Sequence, residues 1–470
     1  MNKIKSTKGI TLIALIITVI ILLILAGVTL NLTLGNNGIF TTSQDAAKNY
    51  TDAQNKELAE LNEFETELNN TVAQEVVNAP NLSKIAQKTY VTWDLNEAGT
   101  EYVINDRQTT YPENWYDYEN GKWANIKTTN NGLEAYWVWI PRYEYAVPTS
   151  ETATKIDVKF IPTSKKNPDA GYTIHPAFTN EGNGGFGELD GIWVGKFEAS
   201  SNTATADKNY GGGTNTNLKV QVKPEVHSWK DIEVSKIFRV CRKMTNEGEV
   251  LEGSKVDSHM MKNTEWGAVA ILSQSKYGVY NPQSSTGETQ GVGDSTKKVW
   301  NNPYGCRYGA RTQTGCVGNS SDAYTDWNSS ITPSNVIGYN KIDTTKSLNG
   351  TKGSTTGTVY GVYDMAGGSL EYVAGVLKGS SNELEYAKSK FDISNQTRAD
   401  EVTEENFAKK YLDLYNYRTS RTDYSHYIIG DATVETKGWN GDKSSYFMYS
   451  TSPVFTRGRR LPVWHGCGCV

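Results

Sequence analysis

Residues 190–198 read Asp-Gly-Ile-Trp-Val-Gly-Lys-Phe-Glu, and upstream of them residues 135–140 read Ala-Tyr-Trp-Val-Trp-Ile. Aromatic and β-branched side chains bounded by Gly or charged residues fit a pleated, largely buried strand. Residues 156–161, Ile-Asp-Val-Lys-Phe-Ile, have the same texture. From about Tyr90 onward such short runs recur, separated by Gly, Asn and Ser. Two helices interrupt them. One is expected over Ser258–Leu272, the other over Asp400–Tyr415, where acids come early and lysines late, as the helix dipole favours. Short strands, few helices and long loops predict one large α+β domain over residues 90–470. No internal repeat of useful period is present.

The chain has 470 residues, enough for more than one typical domain. With 12 Trp, 28 Tyr and 43 Gly its bulk reads as aromatic-rich, turn-rich and globular. Lys and Arg total 47 against 52 Asp and Glu, with no basic block, which argues against a nucleic-acid partner. The five cysteines, Cys241, Cys306, Cys316, Cys467 and Cys469, make no CxxC pair and no zinc-like cluster with histidine. Cys306 and Cys316 are a candidate disulfide if the domain lies outside the cell; the alternative is two thiols in a loop. No metal and no cofactor is expected.

Ahead of the domain, Ile10 to Leu30 is almost wholly apolar, and Lys3, Lys5 and Lys8 precede it. As a helix, that run would reach about 31 Å, enough to cross a bilayer core. The flanking lysines would keep the amino end cytoplasmic and put the rest outside. Residues 10–34 are therefore expected to be a transmembrane helix in a single-pass membrane protein. Residues 43–70 follow as a charged helical stalk, and residues 71–89, which include Val77-Asn-Ala-Pro-Asn-Leu-Ser-Lys84, as a linker.

Lys8-Gly9-Ile10 resembles the leader of type IV prepilins and pseudopilins. The resemblance implies a leader over residues 1–9 and cleavage between Gly9 and Ile10 by a prepilin peptidase. It also implies a pilin-like helix after the cut, with other pilins or secretion-system subunits as partners. Those families usually carry Glu at the fifth mature position; here it is Ala14, which puts filament incorporation in question.

The domain carries a second resemblance. Trp137-Val-Trp-Ile-Pro-Arg-Tyr143, Asp190–Glu198, Met260-Met-Lys-Asn-Thr-Glu-Trp-Gly-Ala-Val-Ala270, Val362-Tyr-Asp-Met-Ala-Gly-Gly-Ser-Leu-Glu-Tyr372 and Thr456-Arg-Gly458 occur in a fixed order. Together they are similar to the formylglycine-generating-enzyme (sulfatase-modifying factor) domain. That resemblance implies an elaborated C-type lectin fold, which non-catalytic binders such as the variable proteins of diversity-generating retroelements also use. It singles out Trp193, Gly195, Glu265, Trp266, Asp364, Gly367, Glu371, Arg457 and Gly458 as motif positions. Read structurally, Trp137, Trp139, Trp193 and Trp266 are core anchors, and Asp364, Gly367 and Gly368 form a turn to which Glu371 bonds back.

The oxidase branch of the family holds copper with a pair of cysteines near the carboxyl end. Here Cys467 and Cys469 sit in a tail, Arg459–Val470, that lacks the family's ending. Read one base later, the codons of that tail can spell the family pattern. Residues after Gly458 are accordingly read as out of frame and the last strand as missing. The expected function is a bacterial surface protein, anchored or pilin-like, displaying a non-catalytic lectin-like domain to an extracellular ligand. A minor pseudopilin of type II secretion or pilus assembly is the alternative, and a copper-dependent thiol-oxidising enzyme a lesser one.

Overall fold

The computed structural model describes residues 16–24, 77–93, 101–104, 115–147, 156–205, 218–229, 232–278, 313–318, 336–343, 348–365, 371–396, 403–419, 427–433, 435, 445–446, 448–457 and 466–467. The chain divides into two units, Met1–Val72 and Ala73–Val470.

In the first unit residues 16–24 are helical, with exposed side chains such as Leu22 and Leu23. The transmembrane helix expected over residues 10–34 is not found. Among the described residues no helix is long and apolar enough to cross a membrane. The nine helical residues described, 16–24, account for about 14 Å of a bilayer core about 30 Å thick. That part of the fold expectation is corrected, and the single-pass membrane localisation that rested on it falls as well. An apolar run sets a hydropathy, not a helix length. The stalk over residues 43–70 lies outside the described residues.

The second unit mixes several small sheets with few helices. Its first sheet is antiparallel, in the order β2-β1-β3-β4-β8. The strands are β1 (Lys88–Trp93), β2 (Glu101–Ile104), β3 (Asn125–Asn130), β4 (Leu133–Pro141) and β8 (Gly191–Gly195). The last two are the strands expected from Ala135–Ile140 and Gly191–Phe197. Between them β5 (Tyr143–Ala146), β6 (Asp157–Phe160) and β7 (Thr173–Ile174) form a three-stranded sheet, in the order β6-β5-β7. Three two-stranded ladders join β9 (Ser200–Ser201) to β10 (Val220–Gln221), β11 (Val317–Gly318) to β12 (Val336–Ile337), and β13 (Ile342–Asp343) to β14 (Leu348–Asn349).

A second five-stranded sheet centres on β15 (Glu371–Leu377). One edge of β15 pairs antiparallel with β18 (Val454–Arg457), which carries β17 (Ser445–Tyr446) beyond it. β15 also pairs parallel with β16 (Asp413–Tyr415) at one end and with β19 (Gly466–Cys467) at the other.

The helices are α1 (Val234–Cys241), α2 (Asn263–Ser273), α3 (Glu385–Phe391) and α4 (Glu404–Tyr411). Every residue of α2 is buried, as expected of a helix apolar nearly all round. It starts five residues later than its sequence pattern, because Lys262 is still extended (φ −70°, ψ 159°). In α4, Thr403 caps the amino end by accepting from Asn406 N at 3.1 Å. The helix stops at Tyr411 because the next residues leave to join β15.

The core is aromatic. Trp115, Trp123, Trp139, Trp229 and Trp266 are fully buried, with Tyr118, Tyr143 and Tyr415. Two glycines are fixed by close approach. A Cβ on Gly267 would lie 1.9 Å from the Gly430 carbonyl oxygen, and one on Gly191 2.4 Å from the Trp139 ring. Lys196, two residues beyond Val194, is wholly buried. Its ammonium donates to Asn125 Oδ1 at 2.9 Å, to Val359 O and to Gly361 O at 2.9 Å, and lies 4.7 Å from the Trp93 ring centroid. This stitches the 355–363 loop to the first sheet.

Candidate functional site

On β4 and β8 the partners Trp139 and Trp193 face each other across the ladder, their rings 5.2 Å apart and tilted by 53°. Trp139 turns into the core, whereas Trp193 is only partly buried. Its indole N–H donates to Asn81 O at 2.8 Å, and Asn81 Nδ2 donates to Asp190 Oδ2 at 3.0 Å. Residues 81–86, read from sequence as linker, therefore pack on the domain. They are also tied to the segment before α2: Lys255 N donates to Lys84 O at 2.8 Å, and Ala86 N to Ser254 Oγ at 2.9 Å.

A cleft of about 390 Å³ lies between these pieces. Trp193, Phe186, Leu189 and Ile192 line one side, Leu251 and Val256 another. Small-molecule sites typically span about 300–1,000 Å³, with a mainly apolar lining and a few convergent polar groups.

The polar groups converge from α2 and α4. Glu265, in the first turn of α2, accepts from Lys262 N at 2.7 Å and lies 3.0 Å from His259 Nε2. Burial opposes the charge on both, but each is outweighed by the other. Beside Glu265 the imidazole is held above its ordinary pKa, and beside His259 the carboxyl is held below its own. The pair is therefore an imidazolium–carboxylate at mildly acidic pH. Asp257 accepts from Tyr411 O–H at 3.1 Å and from Lys410 at 3.0 Å, and the Lys410 ammonium lies 4.5 Å from the Phe186 ring centroid. Among the described residues two buried atoms of the lining side chains have no hydrogen-bond partner: Trp139 Nε1 and His259 Nδ1.

Among the described residues no serine, threonine or cysteine bonds to His259; the adjacent Ser258 Oγ donates to Cys241 O at 2.9 Å. Among the described residues no group of three or more His, Cys, Asp or Glu is placed to hold a metal ion. A larger cleft, about 550 Å³ beside Tyr372 and Val454, has one aromatic side chain, and its carboxylate Glu233 is paired with Lys236.

None of the other described motif residues lines the cleft. Gly195 pairs with Trp137 in the first sheet. Trp266 is buried beneath Arg457, which stands opposite Glu371 in the β15–β18 ladder. Asp364, buried and at φ 65°, accepts from Gly315 N at 2.8 Å and from Glu198 N at 3.3 Å; burial pushes its carboxyl up to about 7. Its hydrogen bonds from backbone N–H groups thus come from residues 198 and 315. Cys316 is buried, with Sγ 3.5 Å from Gln313 Oε1. Gly9, Ile10, Gly367, Gly368, Gly458 and Cys306 lie outside the described residues.

Sequence reading missed the His259–Glu265 pair. The available signal was a Glu in the first helical turn, a usual capping position, six residues after a His. No protein-family model matches the chain, and no curated protein matches it significantly.

Proposed function

We propose that this chain is a non-catalytic ligand-binding protein whose ligand sits in the cleft between β8 and the 251–259 segment. We further propose that residues 90–470 are a formylglycine-generating-enzyme-like, C-type-lectin-like domain adapted to that use. The observation that carries the reading is the meeting, in one cleft of about 390 Å³, of the accessible rings of Trp193 and Phe186 with the His259–Glu265 pair. Rigid aromatic rings supply contact area at low entropic cost, and fixed polar groups orient what they hold. Binding is preferred to catalysis because His259 is engaged by Glu265 and has no nucleophile beside it among the described residues.

The test is a thermal-shift screen of the full-length protein against small molecules, repeated with Trp193→Ala and followed by mass spectrometry of each hit after incubation. The expected result is a ligand that raises Tm, loses that effect in Trp193→Ala, and is recovered unchanged. A hit recovered chemically altered would make the protein an enzyme, and one indifferent to Trp193→Ala would move the site elsewhere.

A further inference from the structure

The cleft is electrostatically uneven in a protein whose net charge is −5. Its three carboxylates are all engaged: Glu265 with His259, Asp257 with Lys410 and Tyr411, and Asp190 with Asn81 and, through space, with the charge of Lys84. Two of its cations have no carboxylate within ion-pair distance among the described residues. Lys84 and Lys255, exposed and side by side through the Lys255 N to Lys84 O bond, line the cleft and make no ion pair among the described residues. With His259 protonated, four cations (Lys84, Lys255, Lys410 and His259) face three carboxylates.

Opposite these groups the lining is aromatic and aliphatic: Trp193, Phe186, Ile192 and Leu251.

Resting on the reading of this cleft as the ligand site, we infer that its ligand is a small amphipathic anion. A flat or apolar body lies against Trp193 and Phe186, and a single acidic group, such as a carboxylate or sulfonate, faces Lys84 and Lys255. A neutral body alone would leave the two lysines unused, and a cation would meet them as like charges.

Two dyes of nearly the same shape test this on the full-length protein. The anion 8-anilinonaphthalene-1-sulfonate and the neutral N-phenyl-1-naphthylamine are titrated against wild type, Lys84→Gln/Lys255→Gln and Trp193→Ala, with near-ultraviolet circular dichroism confirming native packing in each. The expected result is one saturable site for the anion. The double lysine change weakens it about tenfold, on the scale two exposed charge contacts supply, and leaves the neutral dye unchanged. Trp193→Ala weakens both dyes. Equal affinity for both dyes, with no effect of the lysine changes, overturns the anionic class and leaves the cleft as a ligand site. Failure of both dyes to bind, or binding indifferent to Trp193→Ala, overturns this inference together with the reading of the cleft.

Discussion

Arg457 lays its guanidinium over the indole of Trp266, 4.1 Å from the ring centroid, and both side chains are fully buried. The same guanidinium donates through Nε to Asn263 Oδ1 at 2.7 Å and through a terminal nitrogen to Asp431 O. Burial pulls its pKa down to about 10, still well above neutrality, so the group stays charged. One side chain thereby joins β18, the first residue of α2 and the 428–433 loop.

Replacing Arg457 by Met keeps much of the volume and deletes the fork. Two buried acceptors lose their donor, at about 1–3 kcal/mol each. The expected loss is about 3 kcal/mol, read as a lower urea midpoint with an unchanged slope. Lysine should recover little of it, because a compact ammonium cannot reproduce the planar, stacked fork of the guanidinium.

The His259–Glu265 pair should leave its mark on stability as a function of pH. The folded pKa of His259 lies above its ordinary 6.5, so its contribution is complete below that pH and fades as pH rises through the folded value. The folded pKa of Glu265 lies below 4.5, so its contribution is complete above that pH and fades as pH falls through the folded value. A double-mutant cycle with His259→Gln and Glu265→Gln should give a coupling of about 2 kcal/mol between these limits, shrinking by pH 9. A coupling that grows toward alkaline pH would contradict the assignment.

Gly267→Ala adds one methyl group and introduces the best helix-forming residue type, yet should destabilise. Its Cβ would meet the Gly430 carbonyl oxygen at 1.9 Å, so α2 or the 430 loop must move. Overpacking of this kind costs about 1–3 kcal/mol. Thermal unfolding of the variant should show a lowered Tm.

Lys196→Met removes the donor shared by Asn125 Oδ1, Val359 O and Gly361 O. The expected cost is about 3 kcal/mol or more. Amide exchange should locate the damage, with protection lost first in residues 355–363 rather than in β4.

The sequence made local structure legible where local rules decide it. β4, β8 and most of α2 and α4 follow from aromatic content, β-branching and charge order along the chain. The second lip of the cleft did not, because residues 81–86 look like a linker by composition. Their place is set by bonds to partners more than a hundred positions away, Asn81 to Asp190 and Trp193, and Ala86 to Ser254. The apolar run at residues 10–30 shows the opposite error, since hydropathy alone was taken as evidence for helix length. His259 was hidden for a third reason. Its partner Glu265 is reached only because the chain stays extended through Lys262, a turn geometry that residue types do not encode.

The bond from Arg457 to Asn263 spans 194 positions. At about 5–20 residues per second of synthesis, Asn263 and Trp266 leave the ribosome roughly 10–40 s before the side chain that will complete their surroundings. During that interval α2, whose every residue is buried in the finished protein, has no β18 to close over it. The nascent chain is thus a natural client for a holding chaperone, and slowing translation across residues 270–450 should lower the soluble yield before it changes anything measurable in the finished protein.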